Sequence, residues 1–489
     1  MANFQLDYEE LVRSEQDIFN LINRYKSSVR RNACIQNESY YDGENWTITH
    51  LPDRQYWCDR TLKDKDGNVV YDNLNRPKRV NAMITNPFVA NNRVGYGIFH
   101  DIVSQKVNTL LHEIPFINTT QAIDEKYREQ FGFALKNAAI EASICGESFI
   151  YQDNDGNFTV FDTADCIPFY DNQTGVLRLL IRFFLKQGEF SKKKSTIAEV
   201  YTEEGLRVYE KKGSIITLIS DTPYKFVKET SIILSKVKGI SLSKLPIAIF
   251  KNNEDSKSDL TPSIRAKIDV IDLVQSGFIN NIEDFSDVFW VIKKMPNGAL
   301  DEDDYADFFA NINRTKKLFV EEATPEQFSI PHEARSKAVE MLKQQIIEEA
   351  GILDTERLSA TQLTTVAIKA ASIKLEQKVS DFEWFANETA RALVATYQEY
   401  NGLSFEFEID FTRLLITNTT EMIDNLLKVR TDISQETFLE NLKKLGMFVD
   451  DVELELERLE KEKENSVALF TEQTLPKDEI NSEVKYDSI

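Results

Sequence analysis

Carboxylates are the first candidates for chemistry in this sequence, because two or three convergent acids suffice to hold the cation of a metal-dependent nuclease. Asp301-Glu-Asp-Asp304 and Asp450-Asp451 are dense groups of this kind and keep that enzyme class open. With 80 Asp and Glu in 489 residues, close pairs also arise by chance, and a solvated face is the plainer account. Other catalytic patterns fail on inspection. None of the 17 glycines is followed by lysine, so the phosphate loop GxxxxGK(S/T) cannot occur. Gly95-Tyr-Gly97-Ile-Phe-His100 lacks the third glycine of a dinucleotide loop and reads as a loop before a helix. The four histidines form no HExxH pair, and Cys34, His50 and Cys58 lack zinc-site spacing. Asp153-Asn-Asp-Gly-Asn157 has its glycine too early for a calcium loop and reads as a hairpin turn.

The elements that would position such residues follow from composition and periodicity. With 42 % hydrophobic and 28 % charged residues, the chain is globular in composition, with material for roughly three domains. The net charge of −22 argues against ordinary nucleic-acid binding, which rewards clustered Lys and Arg. It leaves open a protein that keeps DNA from adhering. No stretch approaches the ~20 apolar residues of a membrane helix, and the start of the chain lacks the basic-then-apolar order of a secretory leader. Without CxxC pairs the four cysteines read as reduced and mostly buried.

Helical periodicity covers Tyr8 to Val29, Phe88 to Leu111 and Tyr127 to Cys145, and strand patterns dominate from Phe149 to Phe250. After the polar segment 252–259, Thr261-Pro262 signals a helix start, and the stripe Ile264, Ile268, Ile271, Val274, Phe278 predicts one helix to about Asp287. A small insert follows: a strand at 289–292, an acidic helix at 301–313 and a strand at 317–320. Pro331 opens a second helix that ends at Gly351. A short polar connection then leads to the longest helical stripe, which Asn401-Gly402 stops. Phe405 to Phe411 alternates as a half-buried strand. Residues 419–470 read as helical with Ser434 as a cap, and the acidic residues 471–489 are expected to be disordered.

Several of these segments, in this order, resemble portal proteins of tailed bacteriophages, in the branch found in long-tailed phages of Gram-positive hosts. They are Tyr40-Tyr-Asp-Gly43, Ala142 to Tyr151, Pro168-Phe-Tyr-Asp171 with Ile181-Arg-Phe183, Leu245 to Phe250, and Ile268 to Asp272 with Asn281 to Asp284. The resemblance spans about Ile18 to Leu459 and implies an α+β portal fold. It assigns a mixed α/β wing to 1–259, completed by 405–418. Stem helices fall at 260–287 and 331–351, around a clip at 288–330. A tunnel loop at 352–362, a long core helix at 363–404 and a helical crown at 419–470 complete the fold.

The same resemblance implies a dodecameric ring at the head vertex of the virion, assembled in the host cytoplasm. Double-stranded DNA passes through it without sequence recognition. The implied partners are terminase, major capsid and scaffolding proteins and a head-completion adaptor; no enzyme activity, membrane or cofactor is implied. Tunnel-loop residues would be Asp354, Thr355, Glu356, Arg357, Ser359 and Thr361. Lys293, Lys294, Asp301, Glu302, Asp303 and Asp304 would carry terminase docking. For Asp354, Glu356 and Arg357 an ordinary solvated loop remains open. For Asp301 to Asp304, a helix N-terminus favouring carboxylates serves as well. A metal-dependent nuclease and a virion structural or scaffold protein without a channel stand as alternatives.

Overall fold

The computed structural model describes residues 14–53, 55–62, 68–74, 76–85, 90–119, 123–171, 173–187, 194–231, 234–240, 242–285, 289–294, 322–326, 332–354, 365–413, 426–430, 433–444, 452, 454–459 and 461. In chain order, α1 (Glu15–Tyr25), α2 (Val29–Tyr41) and the single turn α3 (Trp46–Thr49) precede a hairpin of β1 (Gln55–Thr61) and β2 (Arg79–Thr85). Next come α4 (Ile98–Leu110), β3 (Phe116–Thr119), α5 (Glu125–Cys145), β4 (Glu147–Gln152) and β5 (Phe158–Phe161). The strands β6 (Cys166–Tyr170), β7 (Leu177–Gln187), β8 (Lys194–Tyr201), β9 (Leu206–Lys212) and β10 (Ile215–Thr222) follow, then β11 (Lys225–Ser231), β12 (Leu234–Ile240) and β13 (Ile247–Lys251). The remainder comprises α6 (Pro262–Phe285), β14 (Phe289–Lys294), β15 (Glu322–Glu326), α7 (His332–Ala350), α8 (Thr365–Asn401), β16 (Phe407–Asp410) and α9 (Gln435–Lys444).

Every strand pairing among the described residues is antiparallel, which with the helices makes an α+β protein. The chain divides into two units, one of Met1–Leu353 with Lys374–Leu414, the other of Asp354–Ile373 with Leu415–Ile489. In the first, β6 to β10 form a five-stranded meander. Because successive strand residues point to opposite faces, β7 feeds two cores. Leu179, Ile181 and Phe183 pack with Ile18, Phe19 and Ile22 of α1. Leu180 joins Phe149, Phe161, Tyr201, Ile247 and Tyr400 on the other face. Pro168, which has no N–H to give a ladder, sits on the edge strand β6 opposite Leu180. In the second unit, Ser434 caps α9 by accepting from Thr437 N at 3.2 Å, as its position before the apolar stripe predicts.

Two boundaries differ from the periodicity. The helix expected from Tyr8 to Val29 is described from Glu15 and stops at Tyr25; Ser28 then caps α2 through Arg31 N at 3.2 Å. The pattern from Phe88 becomes helical only at Ile98. Residues 91–97 stay non-helical because their backbone is held from outside, and Gly95 passes so close to Gly43 that a Cβ there would lie 2.3 Å from the Gly43 carbonyl oxygen. Backbone cannot give way as a flexible side chain does. Gly95→Ala is therefore expected to destabilise the fold by at least about 1 kcal/mol, read as a lower urea midpoint with an unchanged slope; an unchanged midpoint would contradict this packing.

Candidate functional site

Pro262–Phe285 is the longest helix before α8, and its two kinds of face do different work. Thr261 starts it by accepting from Ile264 N at 3.2 Å, with Pro262 at the first helical position. One stripe, Asp272, Ser276 and Asn280, is polar yet buried. It receives the non-helical segment before α4: Tyr96 N donates to Asp272 Oδ1 at 3.0 Å, Val94 N to Ser276 Oγ at 2.9 Å and Asn92 N to Asn280 Oδ1 at 2.6 Å. Asn280 Nδ2 returns a bond to Asn92 O at 3.1 Å. Alternate backbone amides of a non-helical segment thus find partners on a helix surface, which explains three buried polar side chains. Asn45 Nδ2 also donates to Asp272 at 2.8 Å. Burial outweighs these donors and pushes the Asp272 carboxyl up to about 6.

Just before that helix, Asp259 is buried between two ammonium groups. Lys106 of α4, itself 1 % exposed, contacts one carboxylate oxygen; Lys378 of α8 reaches the other at 3.1 Å. Asn252 links the set, accepting from Lys106 and donating to Lys257 O at 2.8 Å. Lys106 also lies 4.1 Å over the Phe382 ring. Burial alone would raise Asp259, but the two cations outweigh it and hold the carboxyl at about 2. Burial pulls Lys106 down, since one carboxylate is shared between two ammonium groups. A cavity of about 430 Å³ adjoins the cluster, with Lys257, Asp259, Glu349 and Lys378 among its lining residues. Across it, Glu349 of α7 contacts Lys267 and accepts from Ser263 Oγ at 3.0 Å, tying α7 to α6.

The residues singled out from the sequence fall mostly outside the described set. Thr355, Glu356, Arg357, Ser359 and Thr361 are outside it, as are Asp301, Glu302, Asp303 and Asp304. Asp354 is half-buried at the start of its unit. The preceding Leu353 is fixed at both backbone groups by Gln105, at 2.9 and 3.1 Å. Lys293 and Lys294 lie on β14, whose partner is β15; the expected strand at 317–320 and helix at 301–313 lie outside the described residues. Asp259, Lys106 and Asp272 were missed. One signal existed: Lys106 interrupts the apolar spacing Ile102, Val103, Val107, Leu110, which a buried, paired lysine would explain.

Residues 21–468 match the family described as Phage portal protein, SPP1 Gp6-like. The chain belongs to this family. Relatives include the portal protein of Clostridium phage phiCD119, 25 % identical over a 472-residue alignment covering 88 % of this chain and 92 % of that one. The portal protein of Bacillus phage SPP1 is 22 % identical over 438 residues, covering 84 % and 82 %. Both are phages of Gram-positive hosts, as the sequence resemblance implied. Portal proteins are structural head–tail connectors and virion components, so the nuclease and non-channel scaffold alternatives fall. Among the described residues no helix is long and apolar enough to cross a membrane.

For this portal chain the buried charges make two expectations. Lys106→Met leaves Asp259 with half its compensation and should cost about 3 kcal/mol or more, measured by urea unfolding; a loss below ~1 kcal/mol would contradict the cluster's role. Asp272 titrates near 3.8 when unfolded and about 6 when folded, so its contribution is present below 3.8 and lost as pH rises through 6. The stability advantage of the native protein over Asp272→Asn should shrink across that window; a difference constant with pH would refute the assignment.

Proposed function

We propose that copies of this chain close into a ring at the portal vertex of a phage head, and that DNA enters and leaves through its bore. Family membership is the main support. The observation on the molecule itself that carries the reading is apolar surface left on the long helices. Val270 and Leu273 of α6 are 46 % and 55 % exposed, Met341 of α7 is 55 % exposed and Trp384 of α8 is 75 % exposed. Side-by-side contact between different faces of neighbouring copies would cover such groups, and a closed rotation would limit the assembly to a ring. A dodecamer is the count the family resemblance suggests.

In this reading α6 and α7 form the stem, and the insert 288–330 between them is the clip, where terminase and later the head-completion adaptor dock through Lys293, Lys294 and Asp301 to Asp304. The pairing of β14 with β15, which brings the two ends of the insert together, is consistent with a clip of its own. Residues 405–418 complete the wing; pairing of β16 with β3 supports this. Residues 352–362 are the tunnel loop, 363–404 the core helix behind it, and 419–470 the crown toward the head interior, where scaffolding and capsid proteins assemble. A net charge of −22 suits a conduit, since phosphates are repelled from acidic walls and the duplex slides without adhering.

Two variants test this. Leu273→Glu should keep the native circular dichroism spectrum but yield few or no rings by electron microscopy; undiminished rings would contradict the interface. Deleting residues 354–359 should leave rings intact and impair DNA packaging into heads, and normal packaging would reject the placement of the tunnel loop.

A further inference from the structure

Two helices that pack together, α2 and α5, each carry one thiol and one carboxylate four residues apart: Cys34 and Glu38 on α2, Glu141 and Cys145 on α5. Side chains at i and i+4 share a helix face, and here the two faces meet. One oxygen each from Glu38 and Glu141 and the sulfur of Cys145 lie within 4.8 Å of one another. Cys145 Sγ donates to Glu38 Oε1 at 3.7 Å. Cys34 is buried; the other three are half-buried, so an ion could reach them.

The charge around these groups is one-sided. Asp162 caps the turn at Thr163–Asp165 and adds a further carboxylate, while the nearby Arg31 is taken up by Asp165 at 3.0 Å. Burial, then Asp162 and Glu141, push the Glu38 carboxyl up to about 7, and burial raises Glu141 as well. Thr163 N donates to Glu141 at 3.0 Å and orients it, as outer contacts orient metal ligands.

We infer that Glu38, Glu141 and Cys145 bind one zinc-type divalent cation per chain, with the fourth position left to water. A thiol beside two carboxylates suits a borderline-soft ion, whereas magnesium and calcium take oxygen alone. Zinc bonds of about 2.0–2.3 Å place tetrahedral donors roughly 3.3–3.8 Å apart, so these three donors, all within 4.8 Å of one another, need contract by at most about 1.5 Å. Binding displaces the Cys145 thiol proton and the Glu38 proton to solvent. The ion would clamp α2 to α5.

The test uses untagged full-length protein, chelator-stripped and kept reduced, titrated with Co²⁺ and then Zn²⁺. The expected result is saturation at one Co²⁺ per chain with sulfur-to-cobalt charge-transfer absorption that zinc abolishes. Cys145→Ser should weaken zinc binding at least tenfold and diminish that absorption, while Glu38→Gln weakens binding about tenfold but keeps it. Cys58→Ser, on β1, should change neither. Circular dichroism of each variant checks the fold, and Glu38→Gln carries the test should Cys145→Ser not fold. No saturable uptake by the native protein, absorption without sulfur character, or binding indifferent to both substitutions overturns the site.

Discussion

One carboxylate, Asp259, must stay ionised in the interior, and much of the larger unit is arranged around that requirement. Lys106 lies 153 residues before it and Lys378 is on the longest helix, so satisfying one charge brings three distant stretches of chain together. A buried ion pair is seldom a strong net source of stability, but removing one partner is costly. That asymmetry makes the cluster a determinant of arrangement. The start of α6, the middle of α4 and the face of α8 carrying Phe382 cannot shift independently without stranding a charge.

From that anchor α6 leaves with its faces already committed. Its polar buried stripe supplies Asp272, Ser276 and Asn280 to the non-helical segment before α4, and so fixes where α4 can begin. Glu349 fastens α7 to its first turns through Lys267 and Ser263. Val270 and Leu273 remain exposed. A portal subunit has to hold long helices rigid while offering apolar surface to its neighbours. Internal polar bonds do the first task without consuming the groups needed for the second.

Much of the fold was legible in the residues. The i, i+3, i+4 spacing of Ile264, Ile268 and Ile271 marks α6, and Asn401-Gly402 marks the end of α8, because helical burial imposes that period and glycine tolerates the left-handed stop. The mostly apolar run Leu177 to Phe184, entered from the turn residues Asn172-Gln-Thr-Gly175, marks β7. The hairpin β11–β12 was not legible: lysines at 225, 228, 236 and 238 break its apolar pattern. The late start of α4 was hidden because partners some 180 residues away decide it. The pairs Cys34/Glu38 and Glu141/Cys145 have a readable spacing, but only the packing of α2 on α5 brings them together. The tunnel and clip residues rest on resemblance, since periodicity and charge are silent about which exposed acid meets a partner.

The central claim is that this polypeptide works as a closed assembly with an open axis, which its mass and shape in solution test most directly. Sedimentation combined with negative-stain imaging of the purified full-length protein should give a species many times the single-chain mass, seen end-on as rings with a central hole. A particle that remains one chain at high concentration, or a larger one with no axial opening, would contradict the account.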